Sequence, residues 1–182
     1  MRRADRDLVL RARAGSADAV TELVRRHWVL CHKIAFLVCG DTAGAEDIAQ
    51  EAMLSAIRGL DGFDESRPLE PWLHRITMNK ARDWLRRRAR HPELTLADAY
   101  EGGGSEEPDL PEYAASELLG AIRELRPGYR VVVVARYVLD YTSGEIAELV
   151  DIPATTVRTQ LRRALAELRM LLEKEARRES AT

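Results

Sequence analysis

The sequence predicts an all-α protein: two small helical domains joined by a flexible acidic linker, the C-terminal one a helix-turn-helix. Three features predict it. Apolar residues recur at spacings of three and four on both sides of a polar break. The break itself is rich in Gly, Pro and acid, and near the C-terminus a short capped helix, a tight turn and a long basic helix follow one another. A chain of 182 residues, 46% hydrophobic and 32% charged, has globular composition and room for two modest cores. An aromatic share of 5% argues against a β-sandwich.

From Ser16 to Val38, residues Val20, Leu23, Val24, Cys31, Ile34, Ala35 and Val38 mark one helical face. Gly40-Asp41-Thr42 breaks that helix, and a second, over about 43–60, buries Ile48, Ala52, Met53, Ala56, Ile57 and Leu60. Gly59, Asp61 and Gly62 form the next loop. Pro71 suits the first turn of a third helix, where its missing N–H costs nothing. Leu73, Ile76, Thr77, Ala81, Trp84 and Leu85 give this helix its apolar stripe, and it runs to about Arg90.

From His91 to Pro111 the chain is too polar and too Gly-rich to pack, which predicts the linker. Helical spacing resumes with Leu118, Leu119, Ile122 and Leu125, stops before Pro127 and restarts from Tyr129 to Leu139. Val131 to Val134 favour a strand by propensity, but a lone strand among helices has no partner, so the segment reads as buried helix. Thr142-Ser143-Gly144-Glu145 fits a capping box ahead of a short helix carrying Ile146, Ala147, Leu149 and Val150. Asp151-Ile152-Pro153 is the turn, and a final helix opening at Pro153 or Ala154 carries Val157, Leu161, Leu165, Leu168 and Leu172. The expected domains are 1–91 and 114–178, with the linker at 92–113.

The net charge of -2 conceals segregation. Arg75, Lys80, Arg82, Arg86, Arg87, Arg88 and Arg90 face one acid, Asp83, whereas 92–113 holds Glu93, Asp98, Glu101, Glu106, Glu107, Asp109 and Glu112 and no base. Such an acidic run would compete with DNA for the basic helices and discourage binding by the free chain. Residues 1–13 are charged, and no run nears the roughly 20 apolar residues of a membrane span, so a cytoplasmic protein without membrane insertion is expected. Cys31 and Cys39 read as free thiols. With His27 and His32 they lack the close pairs of a structural zinc site. No phosphate loop, paired catalytic acids or nucleophile motif stands out, so neither an enzyme nor a cofactor is expected.

Three constellations remain. Asp47, Gln50, Glu51 and Leu54 share one face of the second helix, acidic with one exposed apolar residue; it suits a basic protein surface or an ordinary solvated exterior. The third helix joins cations to Trp72 and Trp84, with Phe63 just before it, a mixture that binds single-stranded nucleic acid by stacking and phosphate contact, although each aromatic reads equally as core. Trp84 lies on the apolar stripe and reads as packing, while Asn79, Asp83 and Arg86 line a separate polar face. In the last helix Arg158, Thr159, Arg162 and Arg163 point away from Val157, Leu161 and Leu165, near the end that enters a major groove.

Together these stretches resemble the extracytoplasmic-function (ECF) group of bacterial RNA polymerase sigma factors. Ala45-Glu46-Asp47-Ile48-Ala49-Gln50-Glu51 resembles that family's polymerase-binding motif, and Pro71-Trp72-Leu73-His74-Arg75-Ile76 with Asn79, Asp83 and Arg86 resembles its promoter-melting helix. Ile146-Ala147, Ile152-Pro153 and Thr156-Val157-Arg158 resemble its second DNA reader. The resemblance implies an alternative sigma factor whose Asp47, Gln50, Glu51 and Leu54 dock on the coiled coil of the largest subunit of core RNA polymerase. It implies that the 61–70 loop with Phe63, Trp72, Arg75, Asn79, Lys80, Asp83, Arg86 and Arg87 receives the minus-ten element of promoter DNA, capturing an unstacked base. Thr155, Arg158, Thr159, Arg162 and Arg163 would read the minus-thirty-five element. The family's frequent anti-sigma factor adds a third class of partner. Met53, Gln160, Leu165 and Asp140-Tyr141-Thr142 depart from the usual pattern, which bears on promoter sequence.

The main rival is a helix-turn-helix regulator that is not a sigma subunit. Its usual receiver domain needs alternating strands and helices, and 1–90 shows only helical periods. A redox or zinc sensor on Cys31 and Cys39 is a second rival, decided by metal analysis and thiol titration.

Overall fold

The computed structural model describes residues 3–90 and 112–179; the expected linker lies outside the described residues, apart from Glu112 and Tyr113, which open a helix. The described residues form α1 (Arg3–Arg13), α2 (Ala17–Cys39), α3 (Thr42–Gly59), a 3-10 turn (Leu60–Gly62), α4 (Leu69–Arg90), α5 (Glu112–Glu124), α6 (Pro127–Tyr137), α7 (Ser143–Val150) and α8 (Ala154–Glu179). Among them there is no strand, and the four valines are buried within α6. Burial on all sides outweighs their β-propensity.

The helix ends follow side-chain chemistry. Ser16 caps α2 by accepting from the Ala19 N–H at 3.3 Å, and Asp41 caps α3 by accepting from the Gly44 N–H at 2.6 Å. Gly40 ends α2 with φ 73°, a left-handed conformation that favours glycine. Gly44 serves a different need: a Cβ there would lie 2.5 Å from Cζ2 of Trp84, so α3 and α4 approach this closely only over a bare backbone.

The helical faces read from the sequence begin at Ser16, and the structure adds α1 ahead of them. Its Leu8 and Val9 pack with Ala19, Leu23, Cys31, Ala49, Met53, Ala56, Leu60, Phe63, Leu69 and Leu73 in the core of the N-terminal half. A second cluster joins the halves. Ile34 to Cys39 of α2, Ala45 and Ile48 of α3, and Met78 and Ala81 of α4 meet Val131, Val132, Val134 and Ala135 of α6, Ile146, Leu149 and Val150 of α7, and Val157 and Leu161 of α8. Fully burying one such side chain contributes about 1.5–3 kcal/mol, so this seam is a substantial apolar interface. Polar ties stitch its rim. Arg130 Nη1 donates to the Cys39 carbonyl at 2.9 Å, Arg82 Nη1 to the Leu149 carbonyl at 3.2 Å, and the Tyr141 hydroxyl to the Pro71 carbonyl at 3.2 Å.

Candidate nucleic-acid interface

The helix-turn-helix is built as its sequence dictates. Thr142 Oγ1 accepts from the Glu145 N–H at 3.3 Å, and Glu145 Oε2 accepts from the Thr142 N–H at 2.8 Å, the reciprocal bonds of a capping box. The Thr142 N–H and hydroxyl, both donating to the Glu145 carboxylate, hold it below its usual range. Asp151 closes α7 in the left-handed region, φ 56°, and Pro153 precedes the start of α8. Val157 and Ala164 are fully buried and Leu161 nearly so, which turns Thr155, Arg158, Arg162 and Arg163 to solvent. Thr159 is half-buried and donates its hydroxyl to the Thr155 carbonyl at 3.0 Å. One detail differs from expectation: Leu165 is 41% exposed, and Ala164 holds the inward position. The helical period of 3.6 carries the stripe from Leu161 through Ala164 to Leu168 and passes Leu165 by.

On α4, Arg75, Asp83, Arg86 and Arg87 are exposed and Asn79 and Lys80 half-buried. Phe63 is buried with its ring tilted against Trp72, centroids 4.8 Å apart, and both line a cleft of about 510 Å³. Arg67 and Arg75 line the cleft from the N-terminal half, and Tyr141, Glu145 and Glu148 line it from the C-terminal half. His74 sits beside Tyr141, 6.3 Å between rings, with both ring nitrogens shielded and unpartnered among the described residues. Burial holds its pKa below the usual value, so it is neutral at pH 7. Trp84 packs against the shared core, as its place on the apolar stripe predicts, and the Arg88 guanidinium lies over its ring at 4.8 Å.

Arg13 is the residue here that the sequence does not announce. From α1 its Nε donates to the Leu60 carbonyl at 2.8 Å and its Nη2 to the Phe63 carbonyl, fastening the loop that carries Phe63. Arg13 and Arg6 also reach Glu65, at 3.9 and 3.1 Å. Inside the loop Asp64 accepts from the Ser66 N–H and hydroxyl, which lowers its pKa.

The acidic face of α3 is as expected: Asp47, Gln50 and Glu51 are exposed, and Leu54 is 52% exposed, an apolar residue left in water. The structure adds a connection between this face and α4. Glu51 lies 3.6 Å from Lys80 Nζ and 3.7 Å from Arg87 Nη2. Cys31 and Cys39 are buried free thiols, His27 sits 3.7 Å from buried Asp5, and among the described residues no group of three or more His, Cys, Asp or Glu side chains is placed to hold a metal.

Comparison with known proteins agrees with this layout. Residues 23–91 match the family described as Sigma-70 region 2, and residues 115–168 match Sigma-70, region 4. The chain is 33% identical over 170 residues to the ECF RNA polymerase sigma factor SigM of Mycobacterium tuberculosis, covering 93% of this chain and 85% of that protein. It is 32% identical over 180 residues to the ECF RNA polymerase sigma factor SigW of Bacillus subtilis, covering 90% and 94%. Among solved structures, CnrH in complex with the cytosolic domain of CnrY superposes with a TM-score of 0.60 at 31% identity, over 94% of this chain and 98% of that one. A region 2 match across the N-terminal half leaves the reading as a non-sigma regulator without support. The chain belongs to the extracytoplasmic-function group of RNA polymerase sigma factors, and it is an alternative sigma factor that directs transcription initiation.

Proposed function

We propose that the three surfaces divide the work of initiation. Asp47, Gln50, Glu51 and Leu54 dock on a basic surface of core RNA polymerase. The loop at 61–70 and α4 take the minus-ten element: Trp72, braced by the buried Phe63, offers an aromatic face to an unstacked base, Asn79 and Asp83 offer polar contacts, and Arg75, Lys80, Arg86 and Arg87 bind phosphates. Thr155, Arg158, Thr159, Arg162 and Arg163 read the minus-thirty-five element from the major groove, where an arginine fork matches guanine O6 and N7. The functional domains on this reading are 1–91 and 114–178, and the family matches over 23–91 and 115–168 support that division. The protein acts in the cytoplasm and catalyses no reaction itself; no helix among the described residues is long and apolar enough to cross a membrane.

The observation that carries this reading is the segregation of surface side chains: acids with Leu54 on α3, cations with Trp72 on α4, and cations on the outer face of α8. CnrH was solved with a second polypeptide, the cytosolic domain of CnrY. By analogy an anti-sigma factor is a further partner of this chain. The test is run-off transcription on fragmented genomic DNA with core polymerase and either the native chain or Asp47→Ala/Glu51→Ala. Discrete transcripts with the native chain that disappear with the variant are expected. Equal transcripts from both would overturn the role given to α3.

A further inference from the structure

We propose that Glu51 couples polymerase capture to promoter contact: in the free chain its carboxylate holds Lys80 and Arg87, and a polymerase surface that takes Glu51 releases both cations to DNA. The inference rests on the surface roles given above and adds a connection between two of them.

The geometry has three parts. Lys80 and Arg87 are seven residues apart on α4, two helical turns, and so share the side that faces α3. Glu51 stands between them and gives each cation its own oxygen, Oε2 at 3.6 Å from Lys80 and Oε1 at 3.7 Å from Arg87. Asp47, one turn earlier on the same exposed face, has no cation within ion-pair distance among the described residues. One carboxylate of the polymerase-facing set is therefore tied to the DNA-facing helix while its neighbour is not.

Both pairs are solvent-exposed, with side chains 34–54% accessible, so each is weak. A weak tie suits a relay, because a basic protein surface can replace it. Loss of Glu51 from the pair leaves Lys80 and Arg87 with no ion-pair partner within 4 Å among the described residues. By linkage the effect is reciprocal: DNA that claims Lys80 and Arg87 frees Glu51 for polymerase. Other bases of α4 are held differently, Arg86 by Asp83 at 3.8 Å and Arg88 by Asp41 at 3.6 Å, so neither draws on an acid of the docking face.

The test measures binding of the full chain, without polymerase, to fluorescently labelled oligothymidylate, whose phosphates report cation availability independently of sequence. Glu51→Gln removes the tie, Asp47→Asn removes the same charge from an untied position, and core polymerase affinity is measured for both. Expected for Glu51→Gln is binding about two- to five-fold tighter, with a salt dependence steeper by about one unit of log–log slope. Asp47→Asn should gain clearly less, and adding Lys80→Gln to Glu51→Gln should cancel much of the gain. Equal gains from the two single variants, or none from either, overturn the coupling. If both variants lose core affinity while oligothymidylate binding is unchanged, the relay fails and the surface assignment stands. If neither loses core affinity, the assignment fails and the relay with it.

Discussion

Replacing Ile146 by Ala tests whether the two halves share one core. Ile146 is fully buried on α7, in the same cluster as Ile34 of α2, Ala45 of α3 and Met78 of α4. Truncation of a buried Ile to Ala costs about 2–5 kcal/mol in lost transfer energy and cavity, with a few tenths returned by the better helix propensity of Ala. Taking about 3 kcal/mol and a urea slope of about 2 kcal/mol/M, the midpoint should fall by about 1.5 M. The chain provides its own probe of coupling. Its three tryptophans, Trp28, Trp72 and Trp84, all lie in α2 and α4, so their fluorescence reports the N-terminal half, whereas far-UV circular dichroism reports every helix. If the seam joins the halves, a cavity in α7 lowers the fluorescence midpoint as much as the dichroism midpoint. A fluorescence transition that stays in place while dichroism acquires an earlier step would refute the shared core.

Other outcomes follow from the geometry. Thr142→Ala should destabilise the chain by about 1 kcal/mol through loss of the α7 cap, measured by thermal unfolding. Glu145 has a folded pKa below its ordinary 4.5, so its contribution is present above that value and is lost as pH falls through the folded value; the gap between Thr142→Ala and the native chain should narrow in acid. Burial pushes the Cys39 thiol up to about 11 and raises Cys31 as well, so both should resist a thiol reagent at pH 8 in the native chain and react readily in denaturant. Fast native labelling of Cys39 would show that the end of α2 is open. Arg162→Ala should weaken holoenzyme binding to a mapped promoter by about 1–3 kcal/mol if its fork reads a base, and by a sequence-independent amount with a shallower salt slope if it meets only phosphate.

Local rules made much of this molecule legible. The 3.6 period placed α2, α3 and α4, a capping box opened α7 at Thr142, and Pro127 marked the break between α5 and α6. The valine run required an argument from context, because propensity alone points to a strand. What stayed hidden was long-range. In α1 the apolar pair Leu8 and Val9 sits among Arg and Asp residues, and what makes the helix worth forming is a partner surface on α2 and α3. The bonds from Arg13 to Leu60 and Phe63, and from Glu51 to Lys80 and Arg87, span 29 to 50 positions, and no spacing rule reaches that far. Leu165 shows the opposite limit: a leucine four residues after Leu161 and three before Leu168 lies outside the core because a small alanine beside it packs closer.

The attachment of the Phe63 loop to α1 bears on how this half of the molecule can be rebuilt. A graft of residues 60–90 into a relative would carry over the aromatic pair and the cations of α4, yet leave behind the guanidinium that fixes the backbone beneath them. Recognition in this region is therefore not a cassette. Its shape is set partly from the first helix of the chain, and a chimera keeps that shape only if Arg13 travels with the loop.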